Sequence, residues 1–135
     1  MSLLDSNKII RTYLTTSSTR VDPLITLVGD RIYCPRLPEN AALPAVGFFT
    51  RGGSANPYIP DMPNPSVQFD CWADNPIGAR EVYRALYDAL QGLEYTAVGS
   101  NFILSAIEEV QGQDLVDSEI PNWFRVLCFF SIVIR

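Results

Sequence analysis

The stretch SVQFDCWADNPIGAREVYRALYDALQGL, residues Ser66–Leu93, decides the fold. Its first part alternates between apolar and polar side chains, which predicts a half-buried strand. The apolar positions of this strand are Val67, Phe69 and Cys71. The period then changes to three and four residues, which is typical of a helix with one apolar face. A strand with one apolar face followed by such a helix predicts a helix lying on a sheet.

The sequence also marks both ends of this helix. Asp74 and Asn75 are good N-cap residues, and Pro76 suits the first helical position because its missing N–H has no partner to lose there. Gly92 is placed to end the helix in a left-handed conformation. The apolar stripe between these ends consists of Ile77, Ala79, Val82, Tyr83, Leu86, Ala89 and Leu90.

Outward from this stretch, hydrophobic spacing and turn residues predict the other elements. Helices are predicted at Ser2–Ser18 and from Asp22 through Val28, and extended segments at Arg31–Cys34, Ala45–Thr50, Phe102–Val110 and Trp123–Ile134. In the strand at Phe102–Val110, alternation places Phe102, Leu104 and Ala106 opposite Ile103, Ser105 and Ile107. Tyr95–Ser100 is predicted to be a turn, and acidic Gln111–Asn122 an exposed hairpin loop. Gly47, inside a strand, indicates a bulge or a close backbone approach.

These elements predict a single α+β domain over residues 1–135, an antiparallel sheet of about four strands with helices packed on one face. A long Pro- and Gly-rich hairpin loop, Arg51–Pro65, interrupts the sheet. Loops of this length inside a compact domain are usually functional or disordered. Two interpretations stay open: a solvated hairpin tip, and an arm whose apolar side chains, Tyr58, Ile59 and Met62, dock on a partner.

The last strand is apolar on both faces. Val126, Cys128, Phe130, Ile132 and Ile134 share one face. Leu127, Phe129 and Val133 lie on the other face, and they too need cover, from a helix or from another subunit. We therefore expect these three residues and the arm to form subunit or partner interfaces.

Composition excludes several classes of function. The net charge of −5 argues against a nucleic-acid binder, which needs a basic face for phosphates. No apolar run reaches the ~20 residues of a membrane span, and no signal peptide is expected. The chain has no histidine, and its three cysteines lack metal-ligand spacing, so we expect free thiols, no metal and no cofactor.

No catalytic constellation is recognisable. Without histidine there is neither a Ser–His–Asp triad nor a Cys–His pair. Glu108 and Glu109 are neighbours on a predicted strand and should point to opposite faces, which is unsuitable for a paired-carboxylate site. Asp70 is better interpreted as an exposed charge or an interface ion pair than as a catalytic acid. An enzyme is therefore not expected.

Three motifs in their order along the chain resemble the tail-completion or tail-terminator proteins of long-tailed bacteriophages and related gene-transfer particles. They are Val28–Tyr33 (VGDRIY), Leu43-Pro44 before a strand, and Val67–Ala73 (VQFDCWA). The resemblance covers nearly the whole chain. It implies a structural virion protein that forms a hexameric ring on the last ring of tail-tube protein at the head-proximal end of the tail, after assembly in the host bacterial cytoplasm.

The resemblance further implies what such a ring would do. It would end tube polymerisation, present a surface to the connector or stopper proteins of the head, and let DNA pass through its lumen without specific binding. An acidic lumen would repel the phosphates by like charge. We therefore expect Asp114, Asp117 and Glu119 to contribute to an axial or tube-facing surface. The alternatives are a head-completion ring and a small ligand-binding regulatory module.

Overall fold

The computed structural model describes residues 4–38, 41–54, 63–116 and 123–135. Three helices and six strands lie within these ranges. The helices are α1 (Ser6–Thr15), α2 (Asp22–Val28) and α3 (Pro76–Leu90). The strands are β1 (Ile32–Tyr33), β2 (Ala45–Ser54), β3 (Asn64–Ala73), β4 (Leu93–Val98), β5 (Asn101–Val116) and β6 (Phe124–Ile134).

The six strands form one sheet in the order β1-β2-β3-β6-β5-β4. The short β1 pairs with β2 in parallel, and every other neighbouring pair is antiparallel. The α+β class is confirmed, but the predicted number of about four strands is wrong because two further strands, β1 and β4, form the edges. Both ends of the predicted loop Arg51–Pro65 are strand, since β2 extends to Ser54 and β3 begins at Asn64, and its middle lies outside the described residues.

The cap of α3 agrees with the sequence prediction. The side chain of Asn75 accepts a hydrogen bond of 2.6 Å from the backbone N–H of Gly78, and Pro76 is the first helical residue. The hydroxyl of Tyr13 in α1 donates a 2.6 Å hydrogen bond to the carbonyl of Ala89 in α3. This bond joins the first helix to the last turn of the third.

The core lies between the helices and one face of the sheet. Three phenylalanines at its centre, Phe48, Phe69 and Phe130, come from three adjacent strands and are fully buried. Phe48 stacks on Phe69 at 5.6 Å, and Phe69 meets Phe130 edge-on at 5.7 Å. The helices contribute their apolar stripes to this core: Ile10 and Leu14 from α1, Leu24 and Val28 from α2, and Val82, Leu86 and Leu90 from α3.

Three predictions about the C-terminal half are wrong. Most of the predicted turn at Tyr95–Ser100 belongs to β4, whose irregular burial arises at Tyr95, a non-glycine residue with φ of 47°. The predicted loop from Gln111 onward begins as strand, because β5 continues to Val116. The predicted faces of Phe102–Val110 are also wrong, since register shifts along β5 break its alternation.

The side chain of Tyr83 links α3 to β5 through two hydrogen bonds. Its hydroxyl donates a 2.6 Å hydrogen bond to the carboxylate of Glu108 and accepts a 3.1 Å bond from the N–H of Gly112. Burial, together with the bond to Glu108, raises the pKa of Tyr83 to about 12. Arg80 lies over the Tyr83 ring and donates to the carbonyl of Gly112. The helix and the strand are so close here that a Cβ at position 112 would lie 2.6 Å from the Tyr83 ring.

We therefore expect Gly112→Ala to lower the free energy of unfolding by about 1–3 kcal/mol, since the added methyl must displace a held aromatic ring. The neighbouring control Gln113→Ala, at an exposed position on the opposite face, should change stability by less than about 0.5 kcal/mol. Urea unfolding followed by circular dichroism measures both. Equal stability of the two variants would contradict the close helix–strand contact.

Candidate interaction surface

The face of the sheet turned away from the helices is the candidate functional surface, called here the open face. Side chains alternate cleanly between the two faces in β3 and β6, so every second residue of these strands lies on the open face. Within the described residues no helix covers it. Its half-buried side chains on β3 and β6 are Ser66, Gln68, Asp70, Trp72, Arg125, Leu127, Phe129, Ser131 and Val133.

An apolar strip runs along β5 and β6 on the open face. Val110 pairs with Phe129, and Ile107 pairs with Ser131 beside it. Ile107 is 56% exposed and Val110 47%. We define the apolar strip as Ile107, Val110, Leu127, Phe129 and Val133. Exposed apolar side chains that lie together mark contact surfaces more often than isolated ones do.

The sequence analysis found three members of the strip and missed the two that are most exposed. Leu127, Phe129 and Val133 lie on the open face as predicted, because β6 keeps its alternation throughout. Ile107 and Val110 were missed because β5 has register shifts between Ile103 and Ser105, between Glu108 and Val110, and again after Val110. Two residues of a bulged strand oppose one residue of its partner, so period two no longer assigns the faces.

The segment that follows β1, which contains Arg36 and Leu37, crosses one end of the open face. A Cβ at Gly47 would lie 2.9 Å from Cδ1 of Leu37, so glycine lets this segment lie directly on the sheet. The close backbone approach suggested for Gly47 is therefore present. The crossing covers the β2 side, and none of the other described segments covers the β3, β6 and β5 side.

A cleft of about 810 Å³ lies between this crossing segment and the N-terminal end of β6, and we call it the arginine cleft. It is lined by Arg36, Leu37, Pro38, Gly47, Asp70, Trp72, Trp123 and Arg125. The two indole rings meet edge-on at 5.6 Å. The guanidinium of Arg125 lies over the Trp72 ring at 5.2 Å and reaches to 3.8 Å from the carboxylate of Asp70.

The charges in the cleft are incompletely satisfied. The side chain of Asp70 is only 13% exposed, and burial raises its pKa, a rise that Arg125 and the amide of Gln68 oppose. Asp70 is therefore part of an ion pair within the sheet and is not the exposed charge considered from the sequence. Among the described residues, Nε of Arg125 is a buried nitrogen with no hydrogen-bond partner. That nitrogen is itself out of reach of a partner, but the side chain of Arg125 is 32% exposed, so its accessible part can meet an additional acceptor.

The predicted acidic surface is described at one position only. Asp114 lies on the helix side of β5 and forms a 3.4 Å ion pair with Arg80. Asp117 and Glu119 lie outside the described residues, as do the arm residues Tyr58, Ile59 and Met62.

Glu108 and Glu109 point to opposite faces, as predicted. Glu108 accepts from Tyr83 on the helix side, whereas Glu109 accepts a 2.8 Å hydrogen bond from Ser66 on the open face. The two carboxylates therefore do not form a pair.

Metal-binding and membrane-spanning features were also sought in the described ranges. No group of three or more His, Cys, Asp or Glu side chains comes together there as a metal site would require. None of the described helices combines the length and the apolar character needed to cross a bilayer. Cys71 and Cys128 are buried free thiols, and Cys34 is an exposed one.

Fold and surface together define a small α+β protein with an open sheet face suited to contacts with other proteins. The sequence profile described as Tail completion protein gp17 matches residues 16–135, and the chain belongs to this family. The resemblance identified from the sequence motifs is thereby confirmed. The comparison with curated proteins gave no match.

Family membership sets the general role of the chain. It is a structural protein of bacteriophage tail completion, with its place in the virion tail and its contacts among other virion components. Membership also favours a structural role over a catalytic one.

The two adjacent phenylalanines of β6 give a direct test of which face is covered. Phe130 is fully buried in the core, so Phe130→Ala should lower the free energy of unfolding by about 3–5 kcal/mol. Phe129 lies on the open face beneath Arg51 at 5.1 Å, so Phe129→Ala should cost only about 1 kcal/mol. Chemical denaturation of both variants measures this difference. Similar losses would mean that the open face is covered in the isolated chain.

Proposed function

We propose that the chain forms a ring that caps the tail tube, ends its polymerisation and joins the tail to the connector of the head. A hexamer is the proposed ring, and DNA passes through its lumen. The major tail-tube protein and the connector or stopper protein of the head are the proposed partners. The ring occupies the head-proximal end of the tail and is assembled in the host cytoplasm.

The observation that carries this proposal is the apolar strip on an uncovered sheet face. Ile107 and Val110 are exposed beside the half-buried Phe129, and together they present a contiguous apolar surface on two adjacent strands. In a monomer this surface would remain in contact with water. Burying it against a neighbouring subunit or the tube would stabilise the assembly by about 25 cal/mol per Å² of apolar area.

The acidic character of the chain supports a lumen that does not retain DNA. A net charge of −5 disfavours contact with phosphates, and fast passage requires such weak contact. We propose that Asp114, Asp117 and Glu119 belong to the axial or tube-facing surface. Asp114 is suited to this role because it remains largely exposed beside Arg80.

Electron microscopy of the purified chain with tail tubes tests the proposal. Rings should be visible at one end of each tube, and tails should be abnormally long in particles that lack the protein. Tails of normal length that fail to attach heads would instead favour a head-completion ring. A chain that stays monomeric and ignores tubes would contradict both roles and favour the ligand-binding alternative.

Substitutions on the apolar strip link this test to the structure. The double variant Ile107→Asp and Val110→Asp should abolish ring formation or tube capping and leave the melting temperature nearly unchanged, because both side chains are exposed. Ile77→Asp is the matched control, since Ile77 is a 75% exposed apolar side chain on α3, away from the open face. If the double variant capped tubes as well as the wild-type chain does, the apolar strip would not be the surface used in assembly.

We propose also that Tyr58, Ile59 and Met62 contribute an apolar contact to a neighbouring subunit or the tube. Replacing all three with serine should weaken assembly and leave the stability of the isolated chain unchanged. Limited proteolysis gives a second measurement, because cleavage between Arg51 and Pro65 should be fast in the free chain and suppressed in particles. Equal cleavage in both states would exclude docking of this segment.

A further inference from the structure

We infer that the arginine cleft binds a carboxylate-bearing surface of a second copy of this chain, so that neighbouring subunits associate head to tail. The inference rests on the proposed ring and adds the side chains that recognise the neighbour. The occupant is a second copy, and the recognised group is an Asp or Glu side chain from outside the open face.

Charge within the cleft determines the chemistry of the occupant. Arg36 and Arg125 both line the cleft, and Asp70 is the single acidic side chain among its described lining residues. These described residues therefore carry an excess positive charge in a chain whose net charge is −5. An acidic group is the complementary ligand, and the rest of a second copy is an acidic surface.

Geometry determines how Arg125 would bind that group. Its guanidinium lies over the Trp72 ring, 5.2 Å from the centroid, and its contact with Asp70, at 3.8 Å, is longer than a hydrogen bond. Its Nε is buried, so a neighbour would meet the accessible part of the side chain, which is 32% exposed. A planar guanidinium oriented by an aromatic ring is already arranged for a two-point contact with a carboxylate, so little side-chain entropy is lost on binding.

The same charges decide the type of interface. If two copies met cleft to cleft, arginines would face arginines, which disfavours a two-fold symmetric contact centred on the cleft. Contact between the cleft of one copy and a different, acidic surface of the next copy is heterologous, and a heterologous contact that closes on itself produces a ring. The apolar strip continues along the same open face and would be buried beside the cleft.

Sedimentation of the full chain tests the inference. Arg125→Glu should weaken self-association at least about tenfold, because it places a carboxylate where the neighbour's carboxylate must bind. Arg36→Glu should weaken it severalfold, and this variant is safe for folding because Arg36 is exposed. Lys8→Glu makes the same charge change at an exposed position on α1 and should leave association unchanged. Asp70→Asn removes the competing acid and should maintain or strengthen association.

Mixing variants tests the head-to-tail arrangement. An Arg125→Glu subunit keeps its acidic surface, so it should form heterodimers with wild-type chains within about twofold of wild-type affinity while failing to form homodimers. Native mass spectrometry with a mass-tagged variant counts both species. Weakened heterodimers would indicate a symmetric contact and overturn the inference.

The remaining outcomes are also decisive. A wild-type chain that stays monomeric, or Arg125→Glu and Arg36→Glu variants that associate as strongly as wild type, would overturn the inference. If such variants also lost tube capping, the tube protein would be the occupant instead. The ring proposal stands or fails separately, on whether the wild-type chain caps tubes.

Discussion

The pairing of β3 with β6 is the constraint on which the rest of the structure depends. The two strands lie at the centre of the sheet, with Phe69 opposite Cys128 and Asp70 opposite Leu127. Because side chains alternate, this register places Phe69, Phe130 and the two cysteines in the core and a mixed set of polar, aromatic and aliphatic residues on the other face. A slip of one residue would bring Asp70 and Arg125 into the core, where unpaired charges are strongly unfavourable.

This pairing also explains why the open face can remain uncovered in a stable subunit. The helices bury the core face completely, so folding does not require the open face to find cover. The side chain of Arg51 lies over the Phe129 ring, and that of Arg125 lies over the Trp72 ring. These long side chains shield the apolar rings and keep their charge in water. Such a face still presents apolar area and oriented charges to a partner.

Where the chain follows regular geometry, the sequence was sufficient. The cap at Asn75, the alternation of β3 and β6, and the opposite orientation of Glu108 and Glu109 all follow from local rules. The edge strand β4 was not predicted. Tyr95 in this strand has a positive φ, so side chains do not alternate regularly between the two faces there. The arginine cleft was not predicted because its lining comes from four separate segments of the chain, which only the tertiary fold brings together.

The errors in β5 explain why the interaction surface was found only in part. A bulge interrupts regular pairing, bends the strand and redirects its side chains. Bulges are concentrated at sheet edges and functional surfaces. In β5 the shifts bring Gly112 against Tyr83 on one side and turn Val110 outward on the other. The same irregularity thus fixes the helix to the sheet and exposes the apolar strip, so a reader who assumes ideal alternation misses both. Residues that break the period of a strand are therefore the first positions to inspect for contact surfaces in chains of this fold.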